Sequence, residues 1–263
     1  MKNQNILLTA LAFISIQSVE AQKNTDLAHE GLEMISKIEL VKHLSIIASD
    51  EMEGRKTGEA GQKKAAEYIR SFYKKMGIDA LPGTDDYYQK VPSEAMKKMF
   101  SPKLNDSENV VAYIKGSEKP DEYLIISAHY DHVGVANGEI YNGADDNGTG
   151  TTAVLEMARV FQEMAKKGHG PKRSIIFLHC TGEEYGLHGS RYFVNSKILP
   201  KEQMVTNLNV DMIGRTDKKQ SRLAPTHRER MECGRSQQHG FAPMSHFVSV
   251  LCGRRQAESA TLS

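Results

Sequence analysis

Hydrophobic residues along the chain follow two spacings, one typical of helices and one typical of buried strands. Apolar residues three or four positions apart predict helices at residues 36–48, 57–76 and 150–167. Short, nearly continuous apolar runs predict strands at residues 109–114, 123–128, 174–178 and 205–213. Because the strands alternate with helices, we expect an α/β fold: a three-layer α/β/α sandwich around a mostly parallel (mixed) sheet.

The first 21 residues have the three-part pattern of a secretory signal peptide. Lys2 precedes an apolar run at residues 6–16, and Val19-Glu20-Ala21 follows, with small or apolar residues at the two positions that a signal peptidase inspects. We therefore expect cleavage after Ala21 and a secreted or periplasmic protein. The alternative is that the apolar run forms a buried helix of the mature fold.

Composition and charge exclude several classes of protein. The formal net charge of the 263 residues is +1, which gives no reason to expect a nucleic-acid or acidic-membrane partner. Three cysteines are too few for a disulfide scaffold. No apolar run in the sequence reaches the roughly 20 residues that a membrane-spanning helix needs. The sequence does not indicate an oligomeric state.

The last part of the chain differs in composition from the rest. Residues 220–263 contain six of the twelve arginines but no lysine, isoleucine or tyrosine. The amino-acid composition of a domain normally stays similar along its whole length. We therefore expect one domain over residues 22–216, with the C-terminal part of its fold missing, and an atypical tail over residues 217–263 that does not belong to the fold. A native, basic, disordered extension is the alternative.

Four clusters of polar residues lie at the ends of predicted strands or directly before a predicted helix. They occupy residues 129–132, 145–146, 181–184 and 209–211. Such strand ends meet at one edge of a parallel sheet, so the clusters together offer imidazole and carboxylate groups suited to zinc. Singly, they also fit a solvated histidine, a surface turn or a helix-capping box at Thr181 and Glu184. Asp211 has apolar neighbours, which predicts a buried carboxylate that needs a partner.

These clusters lie in four ordered motifs, SAHYDHVG, NGADDNGTG, HCTGEEYGLHGS and NLNVDMIGR. With them the chain resembles the secreted co-catalytic zinc exopeptidases, which include bacterial leucyl aminopeptidases, aminopeptidase Y and glutamate carboxypeptidase II. The resemblance runs from about Leu40 to Arg215, and residues 54–78 look like the helix that leads into the family's catalytic sheet. It implies that residues 22–216 are a zinc exopeptidase catalytic domain whose substrate is a peptide or protein N-terminus.

The resemblance implies two zinc ions and a set of ligands for them. His129 and Asp211 would bind the first zinc, Glu184 would bind the second, and Asp145 would bridge both. The peptide bond between Asp145 and Asp146 would be cis. Asp146 itself would not be a ligand.

The resemblance also implies how a terminal peptide bond would be hydrolysed. A zinc-bound hydroxide would attack the scissile carbonyl, and Glu183 would act as general base and then as general acid. Asp131 would hold the other ring nitrogen of His129 and so orient this ligand. The adjacent Glu183 and Glu184 would have different roles: Glu183 would transfer the proton, and Glu184 would bind the metal.

One ligand of the family has no clear counterpart in this chain. Family members supply a histidine for the second zinc late in the chain, where this sequence has the atypical tail with His227, His239 and His246. His246 is a weak candidate, because the aspartate that precedes this histidine in the family is missing. Two alternatives therefore stay open: a single-zinc enzyme similar to glutaminyl cyclase, and a secreted, catalytically inactive truncated homologue that acts only as a binding module.

Overall fold

The computed structural model describes residues 25–97 and 103–215, and each predicted helix and strand is present in it. The helices that flank the sheet are α1 (Lys37–Ile47), α2 (Ala60–Met76), α3 (Gly150–Lys166) and α4 (His188–Asn195). The strands are β1 (Asp79–Ala80), β2 (Tyr88–Val91), β3 (Ser107–Ile114), β4 (Lys119–His129), β5 (Gly134–Ala136), β6 (Glu139–Tyr141), β7 (Arg173–Cys180) and β8 (Met204–Asn209).

Local signals in the sequence set the ends of the first two helices. Ser36 caps α1, since its Oγ accepts a hydrogen bond from the backbone N–H of Glu39 at 3.2 Å. Gly77 follows α2 in the left-handed conformation with a φ of 68°, which glycine adopts without a steric penalty. Ser36 therefore marks the start of α1, and Gly77 marks the end of α2.

The main sheet is mixed, as predicted. Its strands lie in the order β1-β3-β7-β4-β8, and β2 also pairs with β3. Strand β4 is parallel to β7 and to β8, whereas β3 is antiparallel to β7, β1 and β2. His129 pairs with Cys180 in the β4–β7 register, so the carboxyl ends of these two strands lie side by side.

Both faces of the sheet are covered, which confirms the three-layer architecture. Alternate residues of β7 point to opposite faces. Phe177 contacts the rings of Tyr73 on α2 and Phe161 on α3. Leu178, the next residue, packs in a cluster with Phe193 of α4. Because both faces of β7 are buried, its sequence is a nearly continuous apolar run rather than an alternating one.

Some sequence predictions fell on residues outside the described ranges, and others need correction. The expected signal peptide and tail, at residues 1–21 and 217–263, lie outside those ranges. The last predicted strand was too long: β8 ends at Asn209, and Asp211 follows it. No helix within residues 25–97 and 103–215 is long and apolar enough to cross a membrane.

Candidate metal centre

The predicted polar clusters meet at the carboxyl edge of the central strands. His129 is the last residue of β4. Glu183 and Glu184 follow β7, and Asp211 follows β8 after one intervening residue. Asp146 approaches from the segment Ala144–Thr149, which leads directly into α3. Three parallel strands and one helix therefore bring together residues that are up to 82 positions apart in the sequence.

The imidazole of His129 is the centre of this group. Its Nε2 lies 3.2 Å from Asp146 Oδ1, 3.6 Å from Asp211 Oδ1 and 3.9 Å from Glu183 Oε2. Only 3% of the side chain is exposed. Burial opposes protonation of the ring, but its hydrogen bonds to Asp131, Asp146 and Asp211 outweigh this effect and raise the pKa of His129 well above its ordinary value.

The other ring nitrogen of His129 faces Asp131, and the hydrogen bond is to the backbone oxygen rather than to the carboxylate. Nδ1–H donates to the backbone oxygen of Asp131 at 3.1 Å, and Asp131 Oδ1 lies 3.7 Å from the same nitrogen. Asp131 is fully buried, and its Oδ2 accepts a hydrogen bond from Thr57 Oγ1 at 2.7 Å. With Nδ1 keeping its proton on the Asp131 side, a metal ion that displaces the proton of Nε2 would find the lone pair of that nitrogen directed into the site, as a metal ligand requires.

The structure brings Asp146, rather than Asp145, to the ring of His129. Hydrogen bonding to His129 is the main cause of a lowered pKa at Asp146. Asp145 has other partners: its Oδ1 accepts from the backbone N–H of Gly214 at 2.9 Å. The cis peptide bond expected between Asp145 and Asp146 was placed wrongly by one residue, since it joins Asp146 to Asn147.

Asn147 connects the Asp146 segment to the chain around Asp211, a role that sequence reasoning missed. It is fully buried, and its Nδ2 donates to the backbone oxygen of Val210 at 2.9 Å. Its Oδ1 accepts from the backbone N–H groups of Gly150 at 2.9 Å and Met212 at 3.3 Å. Because Val210 and Met212 flank Asp211, this one side chain fixes two carboxylate-bearing segments relative to each other.

The burial predicted for Asp211 was wrong. Its side chain is 41% exposed, although its neighbour Val210 is buried. The prediction took Asp211 for a residue within a strand, whereas the strand has already ended at Asn209. Beyond that point the backbone no longer alternates between two covered faces, so apolar neighbours do not imply a buried position.

Glu183 and Glu184 have different surroundings. The backbone N–H of Glu183 donates to Asp131 Oδ1 at 3.2 Å, and 31% of its side chain is exposed. Burial is the main cause of a raised pKa at Glu183; His129 opposes the shift, and the neighbouring carboxylates add to it. Glu184 instead accepts a hydrogen bond from His132 Nδ1 at 2.6 Å.

The capping-box interpretation of Thr181 and Glu184 does not hold. No helix starts at Thr181, and α4 begins only at His188. The Thr181 hydroxyl lies 2.6 Å from that of Ser107, and the backbone N–H of Thr181 donates to Asn109 Oδ1 at 3.0 Å. Both carboxylates of the 181–184 cluster are therefore available to the site.

A buried arginine holds the segments around the site together through hydrogen bonds. Arg55 is fully buried, and its guanidinium donates to four backbone oxygens, those of Ile47, Tyr130, Asn142 and Gly143, at 2.5 to 2.9 Å. Burial lowers the pKa of Arg55 to about 10, while the nearby carboxylates oppose this shift. The group therefore stays charged at neutral pH. No periodic pattern in the sequence predicts this role of Arg55, because its hydrogen-bond partners are backbone oxygens, which every residue has.

Among the described residues, three sets of side chains bring their ligand atoms within 4.8 Å of one another. The sets are His129 with Asp146 and Asp211, His129 with Glu183 and Glu184, and His132 with Asp146 and Glu184. Imidazole nitrogens and carboxylate oxygens are the donors that zinc uses in catalytic sites. The donor set therefore fits zinc. His129 offers a nitrogen whose orientation is fixed by its hydrogen bond to Asp131, and the carboxylate of Asp146 belongs to two of the three sets.

Comparison with known proteins connects this geometry to peptidases. The family model described as Peptidase family M28 matches residues 109–246, which is more than half of the chain. Aminopeptidase NAALADL1 of Rattus norvegicus is 40% identical over 113 residues, 41% of this chain and 14% of that protein. A probable zinc metalloprotease of Pyrenophora teres f. teres is 33% identical over 128 residues, 47% of this chain and 26% of that protein.

A solved structure shares the fold. The Zn-dependent exopeptidase from Parabacteroides distasonis superposes with a TM-score of 0.55 at 19% sequence identity, covering 69% of this chain and 63% of that one. The rat and fungal relatives, by contrast, are matched over less than a third of their own length.

Proposed function

Because the chain belongs to peptidase family M28, we propose that it is a metal-dependent exopeptidase that hydrolyses a terminal peptide bond, with Glu183 as the general base. The observation that carries this proposal is the meeting of an oriented imidazole and a group of carboxylates at one edge of the sheet. The rat relative is named an aminopeptidase, and we extend an amino-terminal substrate to this chain on that basis.

We assign His129, Asp146 and Asp211 to the first metal position and Glu184, with Asp146, to a second. Asp146 thereby takes the bridging role that the resemblance gave to Asp145. Its support is the 3.2 Å distance from Asp146 Oδ1 to His129 Nε2 and its presence in two of the three sets. A bound zinc ion supplies a Lewis acid that polarises the scissile carbonyl and lowers the pKa of a water molecule.

Glu183 moves the proton in this scheme. Its carboxylate takes a proton from the attacking water as the new C–O bond forms, and returns it to the amine nitrogen as the C–N bond breaks. The raised pKa of Glu183, caused mainly by burial, favours both steps, because it makes the carboxylate a stronger base and eases its protonation before the proton passes to the amine. The hydrogen bond from the Glu183 N–H to Asp131 Oδ1 couples the position of the base to that of His129.

The proposal is tested with zinc-loaded protein, an aminoacyl-nitroanilide substrate and the variant Glu183→Gln. We expect the wild type to bind zinc and to hydrolyse the substrate. Glu183→Gln should lower kcat by about 10²- to 10⁴-fold, because the amide cannot accept the proton, while its zinc content stays unchanged. Turnover that survives the substitution would refute the role of Glu183.

The same zinc-loaded protein, assayed in addition with a glutaminyl peptide, separates the two alternatives. A protein that binds zinc and converts glutaminyl peptides to pyroglutamyl peptides, without hydrolysis, would be a cyclase. A folded protein that neither binds zinc nor turns over any substrate would be a binding module. In both cases the exopeptidase proposal fails.

A further inference from the structure

We propose that His132 supplies the imidazole of the second metal position, together with Glu184 and the shared carboxylate of Asp146. This inference rests on the proposed metal dependence. One ring nitrogen of His132 and one carboxylate oxygen each of Asp146 and Glu184 lie within 4.8 Å of one another. His132 Nδ1 is 2.6 Å from Glu184 Oε1.

The two positions have the same composition. The first combines an imidazole, His129, with a carboxylate of its own, Asp211, and with Asp146. The second combines His132 with Glu184 and the same Asp146. Three protein ligands of this kind leave a fourth place open, which is the usual arrangement of a catalytic zinc. A carboxylate has two oxygens, so Asp146 can serve both positions at once.

The ring of His132 is held where this role requires it. Its backbone N–H donates to the backbone oxygen of Arg55 at 3.1 Å. Gly143 lies against the ring: a Cβ at that residue would be 2.5 Å from both Cγ and Cδ2 of His132. Gly143 also has a φ of 54°, a left-handed conformation that favours glycine. The side chain of His132 is only 13% exposed, so its ring is positioned by packing rather than free in solvent.

A purely hydrogen-bonding role for His132 would also explain its contact with Glu184. In the described geometry Nδ1–H donates to the carboxylate, and a metal ion would take the place of that proton. Asparagine distinguishes the two roles, because its amide N–H can donate to Glu184 but an amide nitrogen does not bind zinc.

The experiment counts zinc per chain by mass spectrometry after loading and dialysis. We compare the wild type with His132→Asn, His132→Ala and the control His169→Ala, which removes an exposed histidine. The wild type and His169→Ala should hold two zinc ions, and both His132 variants should hold one. Thermal unfolding of each variant verifies that a lost ion does not reflect a lost fold. Cobalt titration gives a second readout: the wild type should need two equivalents to reach full visible absorption, and the His132 variants one.

Three outcomes overturn the inference without touching the proposed function. His132→Asn that retains two zinc ions shows that the residue only orients Glu184. A wild type that holds a single zinc shows that there is no second position. A further variant, His246→Ala, tests whether the histidine of the tail is the ligand instead. If His246→Ala loses one zinc ion and the His132 variants lose none, the inference is also overturned. Wild-type protein that holds no zinc refutes the proposed function itself.

Discussion

Asp145 and Asp146 carry the same side chain, but the backbone gives them different surroundings. Asp146 has a φ of −105° and a ψ of 98°, outside the helical range, in a segment that otherwise leads into α3. This turn directs its carboxylate to His129, while Asp145 accepts a hydrogen bond from Gly214. Which of the two aspartates faces His129 is therefore decided by their backbone dihedral angles, and the residue type does not indicate those angles.

A matched pair of substitutions tests this difference. Asp146→Asn removes the charge that we assign to both metal positions, so we expect it to abolish the binding of zinc. Asp145→Asn keeps an oxygen that can accept from Gly214, so we expect unchanged zinc content and a free energy of unfolding within about 1 kcal/mol of the wild type. Zinc analysis and urea denaturation measure the two quantities. Loss of zinc from Asp145→Asn alone would restore the bridging role to Asp145.

At the scale of elements, Arg55 is the point where several segments are joined. Its four hydrogen bonds reach the end of α1, the residue after β4 and the loop before Asp146. These segments have no regular secondary structure in common, so no strand ladder or helix holds them together. The planar guanidinium provides donors in several directions at once, and no other side chain has this geometry.

Replacing Arg55 should therefore destabilise the protein strongly. We expect Arg55→Met to lower the free energy of unfolding by about 3 kcal/mol, because buried backbone oxygens lose their donor. Arg55→Lys keeps the charge but not the fork of donors, so its loss should be only slightly smaller. Urea denaturation of metal-free protein measures both values. Arg191→Met, which removes an exposed arginine of α4, is the control and should change stability by less than about 0.5 kcal/mol. Equal effects at the two positions would contradict the role of Arg55.

The elements predicted from the sequence are those with a strong apolar pattern of their own. Long apolar stretches are buried in α2, α3, β4 and β7. Because the buried positions must be apolar, the spacing of apolar residues in the sequence shows which kind of element each one forms. The hairpin of β5 and β6 has strands of three residues each, which is too short for a period to appear. The helix α4 follows the TGEE motif, whose polar residues suggested an earlier start.

The candidate site was predictable in its residue types but not in all of its positions. His129, Asp131, Glu183 and Glu184 lie together because strand ends meet at a sheet edge. Arg55 and Asn147 were missed because they act on backbone atoms, which leave no pattern in the sequence.

At the scale of the whole molecule, the buried histidine His179 makes stability depend on pH. It lies in β7 with no exposed surface, and its Nε2 is 2.7 Å from the Tyr73 hydroxyl. Among the described residues, its Nδ1 has no hydrogen-bond partner. Burial lowers the pKa of His179 to about 3, from an ordinary value of 6.5. Below pH 6.5 the unfolded chain takes up a proton at this residue that the folded chain does not, so stability falls as the pH falls from 6.5 towards 3.

Removing this histidine should flatten the acid side of the stability profile. The contribution of His179 amounts to about 1.4 kcal/mol for each pH unit below 6.5, so between pH 6.5 and 5 the wild type should lose about 2 kcal/mol more than His179→Gln. Glutamine keeps an acceptor for the Tyr73 hydroxyl but does not titrate. Urea denaturation in the presence of a chelator measures the difference free of metal effects. His169→Gln, at an exposed histidine, should follow the wild-type profile. Parallel profiles for the wild type and His179→Gln would mean that His179 is protonated in the folded protein, and the neutral, buried state assigned to it would be wrong.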